Sequence, residues 1–181
     1  MTLDRSPIRY YPKVSIERRI YAFAIDFISI WFPTSFFDNN VFLFTIIFLF
    51  LWWIARVVIP ERNHGQSLGH WLLDIRVIDP RFDRTPGMLE LNKREGIAGL
   101  TAVLAMWGLT IGLNNGLSMI LLLSPLLADG GIALSDPELY RSFHDRIAKT
   151  ITITSKRGFS LDIRLKQLFL LAKNALNNRS R

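Results

Sequence analysis

The sequence predicts an all-α membrane protein: a four-transmembrane-helix bundle with a small cytoplasmic two-stranded element and a C-terminal amphipathic helix. Three observations predict this class. Half of the 181 residues are hydrophobic and 20% are charged, which is unusually apolar for a soluble domain and far too apolar for a disordered chain. Long uncharged runs have the length of a membrane crossing, and basic residues are concentrated between those runs.

The first two predicted spans are residues 20–37 and 41–59, and each carries a single charge. Asp26 lies within the first, and Arg56 lies near the end of the second. A run of about 20 apolar residues crosses a ~30 Å hydrocarbon layer as a helix. Because residues 1–19 are polar and basic and no small-residue cleavage site follows, we expect no cleavable signal peptide.

A third charge-free run, residues 96–128, is too long for one crossing, because a helix of that length would measure about 50 Å. The turn sequence Leu-Asn-Asn-Gly interrupts it and predicts a hairpin of two spans, 97–113 and 117–134. The last span contains Pro125 and runs into Asp129-Gly-Gly. A kinked span is favoured there over a re-entrant half-helix.

The distribution of basic residues predicts the orientation. Lys and Arg number five in residues 1–19, six in 60–95 and ten in 129–181, with none in the short loops 38–40 and 114–116. Cytoplasmic loops collect positive charge, so both termini and the middle loop are predicted to be cytoplasmic, which requires an even number of crossings. We expect a multi-pass protein of the bacterial inner membrane or another internal membrane, and no nucleic-acid partner.

The chain divides into a basic N-terminus (1–19), a membrane domain (20–155) and a basic tail (156–181). Polar and apolar residues alternate in DIRVID (74–79) and in TITIT (150–154), which predicts two paired strands beneath the membrane, or else two unrelated extended loops. Leucines at helical spacing in the tail predict a basic amphipathic helix. Its predicted partner is an anionic lipid headgroup surface, with the groove of a partner protein as the alternative.

Two charged residues inside the predicted spans are candidates for a functional site. Asp26 and Arg56 lie at comparable depths of a tight helical hairpin and could pair, because a lone buried carboxylate would cost several kcal/mol. One interpretation is an ion pair that fixes the helix register. The other is a site that binds a proton or a cation.

The third span carries Gly108 and Gly112 at the spacing of a helix-packing face. Such a face brings two helices close together, either within one chain or between copies in a homo-oligomer.

No catalytic or metal-binding pattern is found. The chain has no cysteine, its three histidines show no ligand spacing, and the HExxH, GxSxG and phosphate-loop motifs are absent. We therefore expect no enzymatic activity, no cofactor and no metal.

Three blocks, in order, resemble the RDD family of polytopic membrane proteins: RIYAFAID at 19–26, GQSLG at 65–69 leading into IRVID, and HDRIAKT at 144–150. The resemblance maps the family's arginine onto Arg19 and its two aspartates onto Asp26 and Asp145. Arg94, before the third span, resembles a frequent arginine, whereas Lys149 stands where a glycine is common. The resemblance implies a membrane protein with a role in transport, with cation or proton exchange in some members.

If the two strands pair, Asp145 returns to the membrane border, where Arg19 and Arg94 could meet it in a charge cluster at the inner mouth of the bundle. Two functions follow. The first is transport, with cation or proton exchange at an intramembrane Asp/Arg cluster in an oligomer or with a partner. The second is an accessory or assembly factor of a larger membrane complex.

Overall fold

The computed structural model describes residues 11–37 and 40–155, together with 160, 161, 163, 164, 167, 170 and 171 of the tail. Between residues 11 and 155, the described chain forms seven α-helices and two strands: α1 (Ile16–Thr34), α2 (Val41–Trp53), α3 (Ile59–Arg62), α4 (Leu68–Leu72), β1 (Ile75–Ile78), α5 (Met88–Ile111), α6 (Gly116–Ile132), α7 (Phe143–Ala148) and β2 (Ile151–Thr154).

Three helical segments of the described chain are long and apolar enough to cross a membrane: Ile16–Phe37, Val41–Arg62 and Met88–Ser135. The first two contain the predicted spans 20–37 and 41–59 and extend them by about a turn at the end that carries Arg19 or Arg62. Many large apolar side chains on these segments are exposed, as expected for helices that lie in lipid.

The third segment folds back on itself as α5 and α6. A Cβ built on Gly108 of α5 would lie 3.1 Å from the carbonyl oxygen of Met119 in α6. In one straight helix these two residues would be about 16 Å apart, so the chain reverses direction between them. The predicted hairpin is therefore present, although α5 begins at Met88 rather than at residue 97. That α5 and α6 each cross the membrane stays a prediction.

Gly112 does not lie on the packing face that the sequence predicts. Nothing lies within 4 Å of a Cβ built on it, and its φ is +63°. Gly112 ends α5 in a backbone conformation that an L residue with a side chain rarely adopts, and the chain turns there. Of the predicted pair, Gly108 packs against α6 of the same chain, and Gly112 makes the reversal possible.

A widened π-helical turn, Ile54–Val58, joins α2 to α3. Pro60 has no N–H to donate to the carbonyl oxygen of Arg56 four residues earlier, and its ring would clash with that carbonyl. The N–H of Ile59 instead bonds to the carbonyl of Ile54, five residues back. The wide turn therefore follows from Pro60, and Arg56 lies at its centre.

The apolar core lies between α1, α2 and α5. Phe48 is fully buried and stacks on Trp52 with 5.7 Å between ring centroids. Gly99 of α5 makes room for Trp52, because a Cβ there would lie 2.9 Å from the indole ring. The other buried members of this core are Phe27, Ile30, Phe44, Ala98, Ala102, Val103 and Met106.

The predicted strand pair is confirmed. Strands β1 and β2 pair antiparallel, with Ile75 opposite Thr154 and Ile78 opposite Ile151. Gly65, at φ +80°, precedes the pair, and its N–H and C=O both make backbone hydrogen bonds. Most of the tail lies outside the described residues, so the amphipathic helix predicted for 156–181 stays a prediction.

Candidate functional site

Six buried side chains form an alternating series of carboxylates and guanidinium groups, here named the arginine–carboxylate chain. In spatial order they are Asp26, Arg56, Glu95, Arg94, Asp145 and Arg19. Five of the six side chains are at most 3% exposed, and Arg19 is 10% exposed. With all six charged, positive and negative charges balance, which is the condition under which buried charges are tolerated.

Asp26 forms one end of the chain, on the inward face of α1. Its Oδ2 accepts hydrogen bonds from Arg56 Nη1 at 2.5 Å and from the Ser67 hydroxyl at 2.6 Å, and its Oδ1 accepts one from the Gly69 N–H at 2.7 Å. Ser67 is the N-cap of α4, so the start of this short helix is fixed to α1. The GQSLG block thus supplies two of the three donors to the carboxylate.

Arg56 joins α1 to α5. Its Nε donates to Glu95 Oε2 at 2.9 Å and its Nη2 to Oε1 at 3.3 Å, while Nη1 reaches Asp26. Its guanidinium group also lies 5.4 Å from the ring centroid of Trp52 and 5.9 Å from that of Phe23. Two carboxylates and two aromatic faces therefore hold this arginine and balance its charge.

Asp145 forms the centre of the other half of the chain. Arg94 Nε donates to its Oδ1 at 2.8 Å, and Arg19 donates to its Oδ2. Asp145 is also the N3 residue of α7 in a capping box with Ser142. Burial by itself would raise the pKa of Asp145, but the positive charges of Arg19 and Arg94 outweigh it and hold the pKa well below its ordinary value.

A second buried pair, Asp129 and His144, lies beside the chain. Both oxygens of Asp129 accept from His144: Oδ1 from the backbone N–H at 3.0 Å, and Oδ2 from Nδ1 at 2.6 Å. His144 Nε2 lies 3.7 Å from Asp145 Oδ1, so the pair is adjacent to the arginine–carboxylate chain. The contact also ties the end of α6 to the start of α7.

His70 of α4 is buried among the arginines. It is 5% exposed, and its Nδ1 has no hydrogen-bond partner within the described ranges. Burial lowers the pKa of His70 well below its ordinary value, and the positive charges of Arg56, Arg94 and Arg19 lower it further. The ring is therefore neutral at physiological pH.

A partly open cavity of about 390 Å³ lies between α1 and the end of α6. Its polar end is lined by these residues: Arg19, Arg56, His70, Arg94, Asp129, Ser142 and His144. Its apolar part is lined by these: Ile16, Ile20, Phe23, Leu126, Leu127, Ala133 and Leu134. Asp26, Glu95 and Asp145 do not line it, so the cavity is lined by the arginines of the chain and not by their carboxylate partners.

The structure brings together both clusters that the sequence predicts. Asp26 contacts Arg56, and Arg19 and Arg94 converge on Asp145. The two clusters are one continuous chain because Glu95 connects Arg56 to Arg94.

Sequence reasoning misses Glu95, because this residue lies just before the uncharged run begins. The adjacent opposite charges of Arg94 and Glu95 at the start of a span were the available signal. Asp129 and His144 are also missed, since nothing in their 15-residue separation indicates contact. No group of three or more histidine or acidic residues is arranged to hold a metal ion within the described chain.

The comparisons with known proteins bear on the whole arrangement. The model of the RDD family matches residues 13–149, well over half of the chain and the full extent of the arginine–carboxylate chain. Neither a search of curated proteins nor a search of solved structures gives a match. On the family match, the chain belongs to the RDD family, a family of membrane proteins.

Proposed function

We propose that this protein is a non-enzymatic membrane protein that acts in transport, by proton-linked exchange at a cavity beside its intramembrane Asp/Arg cluster. The observation that carries the proposal is the cavity between α1 and α6, which reaches ionisable side chains inside the apolar segments. Ionisable residues within membrane spans mark substrate or proton pathways unusually often.

The contacts favour a proton over a metal cation. Asp26 already accepts hydrogen bonds from three donors, including the guanidinium of Arg56, and it does not line the cavity. Three arginines line the cavity, and Asp129 is the acidic residue in its lining, so the lining offers a metal cation few oxygen ligands. The Asp129–His144 pair, by contrast, lines the cavity and joins two titratable groups at 2.6 Å. We therefore place the exchangeable proton on this pair and assign Asp26 to holding α1, α4 and the π-helical turn that carries Arg56 together.

The proposal includes a setting and an assembly. The protein lies in the bacterial inner membrane or another internal membrane, with both termini in the cytoplasm and the basic tail on anionic lipid headgroups. It works as an oligomer or with a partner, because α6 packs on one side and exposes Leu117 (82%), Leu121 (69%) and Leu127 (67%). One copy leaves the cavity partly open.

An accessory or assembly factor of a larger membrane complex is the second candidate. The fully paired arginine–carboxylate chain favours it, because such a network can hold the strand pair β1–β2 and α7 against the membrane helices. The exposed apolar faces of α2 and α6 would then receive the other subunits.

Flux measured with the full-length protein in proteoliposomes tests the first candidate. A pH-sensitive dye inside the vesicles reports proton movement against a panel of cations and anions outside. We expect Asp129→Asn and His144→Gln to lose most of the pH-dependent flux, and Asp136→Asn to keep it, because Asp136 pairs with Arg141 away from the cavity.

The same variants separate the two candidates. Wild-type protein that moves no ion, but purifies with a larger complex at fixed stoichiometry, supports the accessory role and overturns transport. If Asp26→Asn prevents accumulation of the protein while Asp129→Asn accumulates normally, Asp26 has the structural role assigned to it here.

A further inference from the structure

We propose that the cavity between α1 and α6 binds the phosphate-bearing headgroup of an anionic phospholipid, with the acyl chains leaving between the two helices. The proposal names a ligand for the cavity on which the proposed function rests. Binding is measured without flux, so either proposal can fail while the other stands.

The charges of the cavity suit an anion. Arg19, Arg56 and Arg94 line it, and the carboxylates that balance them lie outside its lining. The acid that does line it, Asp129, directs both oxygens to His144. A phosphate in the cavity would meet guanidinium groups before any free carboxylate oxygen, and guanidinium is the side chain whose geometry best matches phosphate.

The mouth of the cavity suits a lipid rather than a free anion. Its rim carries exposed apolar side chains, among them Ile20 (59%), Leu127 (67%) and Leu134 (65%). These residues lie on segments that are apolar enough to cross a membrane, so the rim faces hydrocarbon. An inorganic anion gains nothing from such a rim, whereas acyl chains attached to a headgroup do.

His70 supplies an independent indication of a ligand. The side chain is more than nine-tenths buried, lines the cavity and leaves Nδ1 without a hydrogen-bond partner among the described residues. A buried polar atom without a partner costs about 1–3 kcal/mol. Nδ1 itself has less than 1 Å² of accessible surface, so a headgroup oxygen in the cavity would satisfy it only after the ring turns toward the cavity.

The size and the wall of the cavity also allow a headgroup. Its volume of about 390 Å³ lies in the range of small-molecule sites, about 300–1,000 Å³. Gly130 and Gly131 of α6 form part of the wall, and nothing lies within 4 Å of a Cβ built on either. A side chain at either position would extend into open space at the cavity wall without displacing the backbone.

The test uses the full-length protein in detergent, with phosphatidylglycerol and phosphatidylcholine supplied in equal amounts and bound lipid counted by native mass spectrometry. Both lipids carry a phosphate, but the positive charge of choline would lie beside three arginines, so we expect retained phosphatidylglycerol in excess by about tenfold, or about 1.4 kcal/mol. Gly130→Leu places a large side chain at the cavity wall and should release this lipid. Gly96→Leu is the matched control, because Gly96 is also a helical glycine with open space around its Cβ but does not line the cavity. His70→Phe, which keeps the ring but removes Nδ1, should weaken retention severalfold.

Three results would overturn the proposal. One is equal retention of the two lipids. Another is full retention by Gly130→Leu under conditions in which Gly96→Leu behaves like wild type. A third is stabilisation by inorganic phosphate, added alone, that equals the stabilisation by phosphatidylglycerol, because the site would then take a free anion.

Discussion

The backbone N–H of Gly69 donates a 2.7 Å hydrogen bond to Asp26, and this contact requires that residue 69 have no side chain. A Cβ on Gly69 would lie 2.0 Å from the carbonyl oxygen of Ala22, one turn before Asp26 in α1. The short helix α4 can therefore approach α1 closely enough to reach the carboxylate because of this glycine. The GQSLG block and the aspartate of α1 are thus two halves of one contact.

Gly69→Ala should destabilise the protein because backbone atoms of α1 and α4 must move apart and one donor to a buried carboxylate is lost. We expect a loss of about 2–4 kcal/mol in the free energy of unfolding, measured by thermal unfolding in detergent. Gly96→Ala is the control. Its Cβ meets nothing within 4 Å, so the better helix propensity of alanine should make that variant neutral or slightly more stable. Equal behaviour of the two variants would contradict this account.

Asp145→Asn should be strongly destabilising, because it leaves the charges of Arg19 and Arg94 buried without their shared carboxylate. Breaking a buried pair by removing one partner costs about 3–5 kcal/mol. Asp136→Asn, which removes the carboxylate paired with the 42% exposed Arg141, should cost about 1 kcal/mol or less. Chemical denaturation of both variants in the same detergent gives the comparison. If Asp145→Asn also costs only about 1 kcal/mol or less, the arginine–carboxylate chain is not needed for stability.

Stability should fall as the pH drops from about 7 to about 5, and His70 should account for part of that loss. The pKa of His70 is lowered in the folded protein, so below about pH 6.5 the unfolded chain takes up a proton that the folded protein does not. This proton uptake by the unfolded chain stabilises the unfolded state relative to the folded one. His70→Phe removes the group, so its unfolding temperature should depend less on pH across this window than that of the wild type. Identical pH dependence in the two proteins would contradict the prediction.

Single introduced cysteines test the four-span count and the orientation, because the chain has no cysteine of its own. With four spans, Asn114→Cys, between α5 and α6, should react in intact cells with a membrane-impermeant maleimide. Glu138→Cys, after α6, should react only once the membrane is opened. Labelling of both positions in intact cells would instead mean that α6 does not cross the membrane and that the basic tail faces outward.

The sequence by itself determines where the chain is apolar and which charges lie among the apolar residues. Hydropathy and charge are local properties, so the apolar segments, the α5–α6 reversal and the strand pair are all predictable from them. The pairing of Asp26 with Arg56 is also predictable, because a short loop between two spans fixes the relative depth of both residues.

The tertiary structure alone decides that Glu95 joins two predicted clusters into one chain and that His144 contacts Asp129. It also decides that His70 lines a cavity, with its Nδ1 lacking a partner among the described residues. These contacts depend on how α4 and α7 pack against the bundle. Arg56 and Glu95, for example, are 39 residues apart. Such contacts result from helix rotation and close packing, set by the whole core and by a few glycines, and no local pattern of residues encodes them.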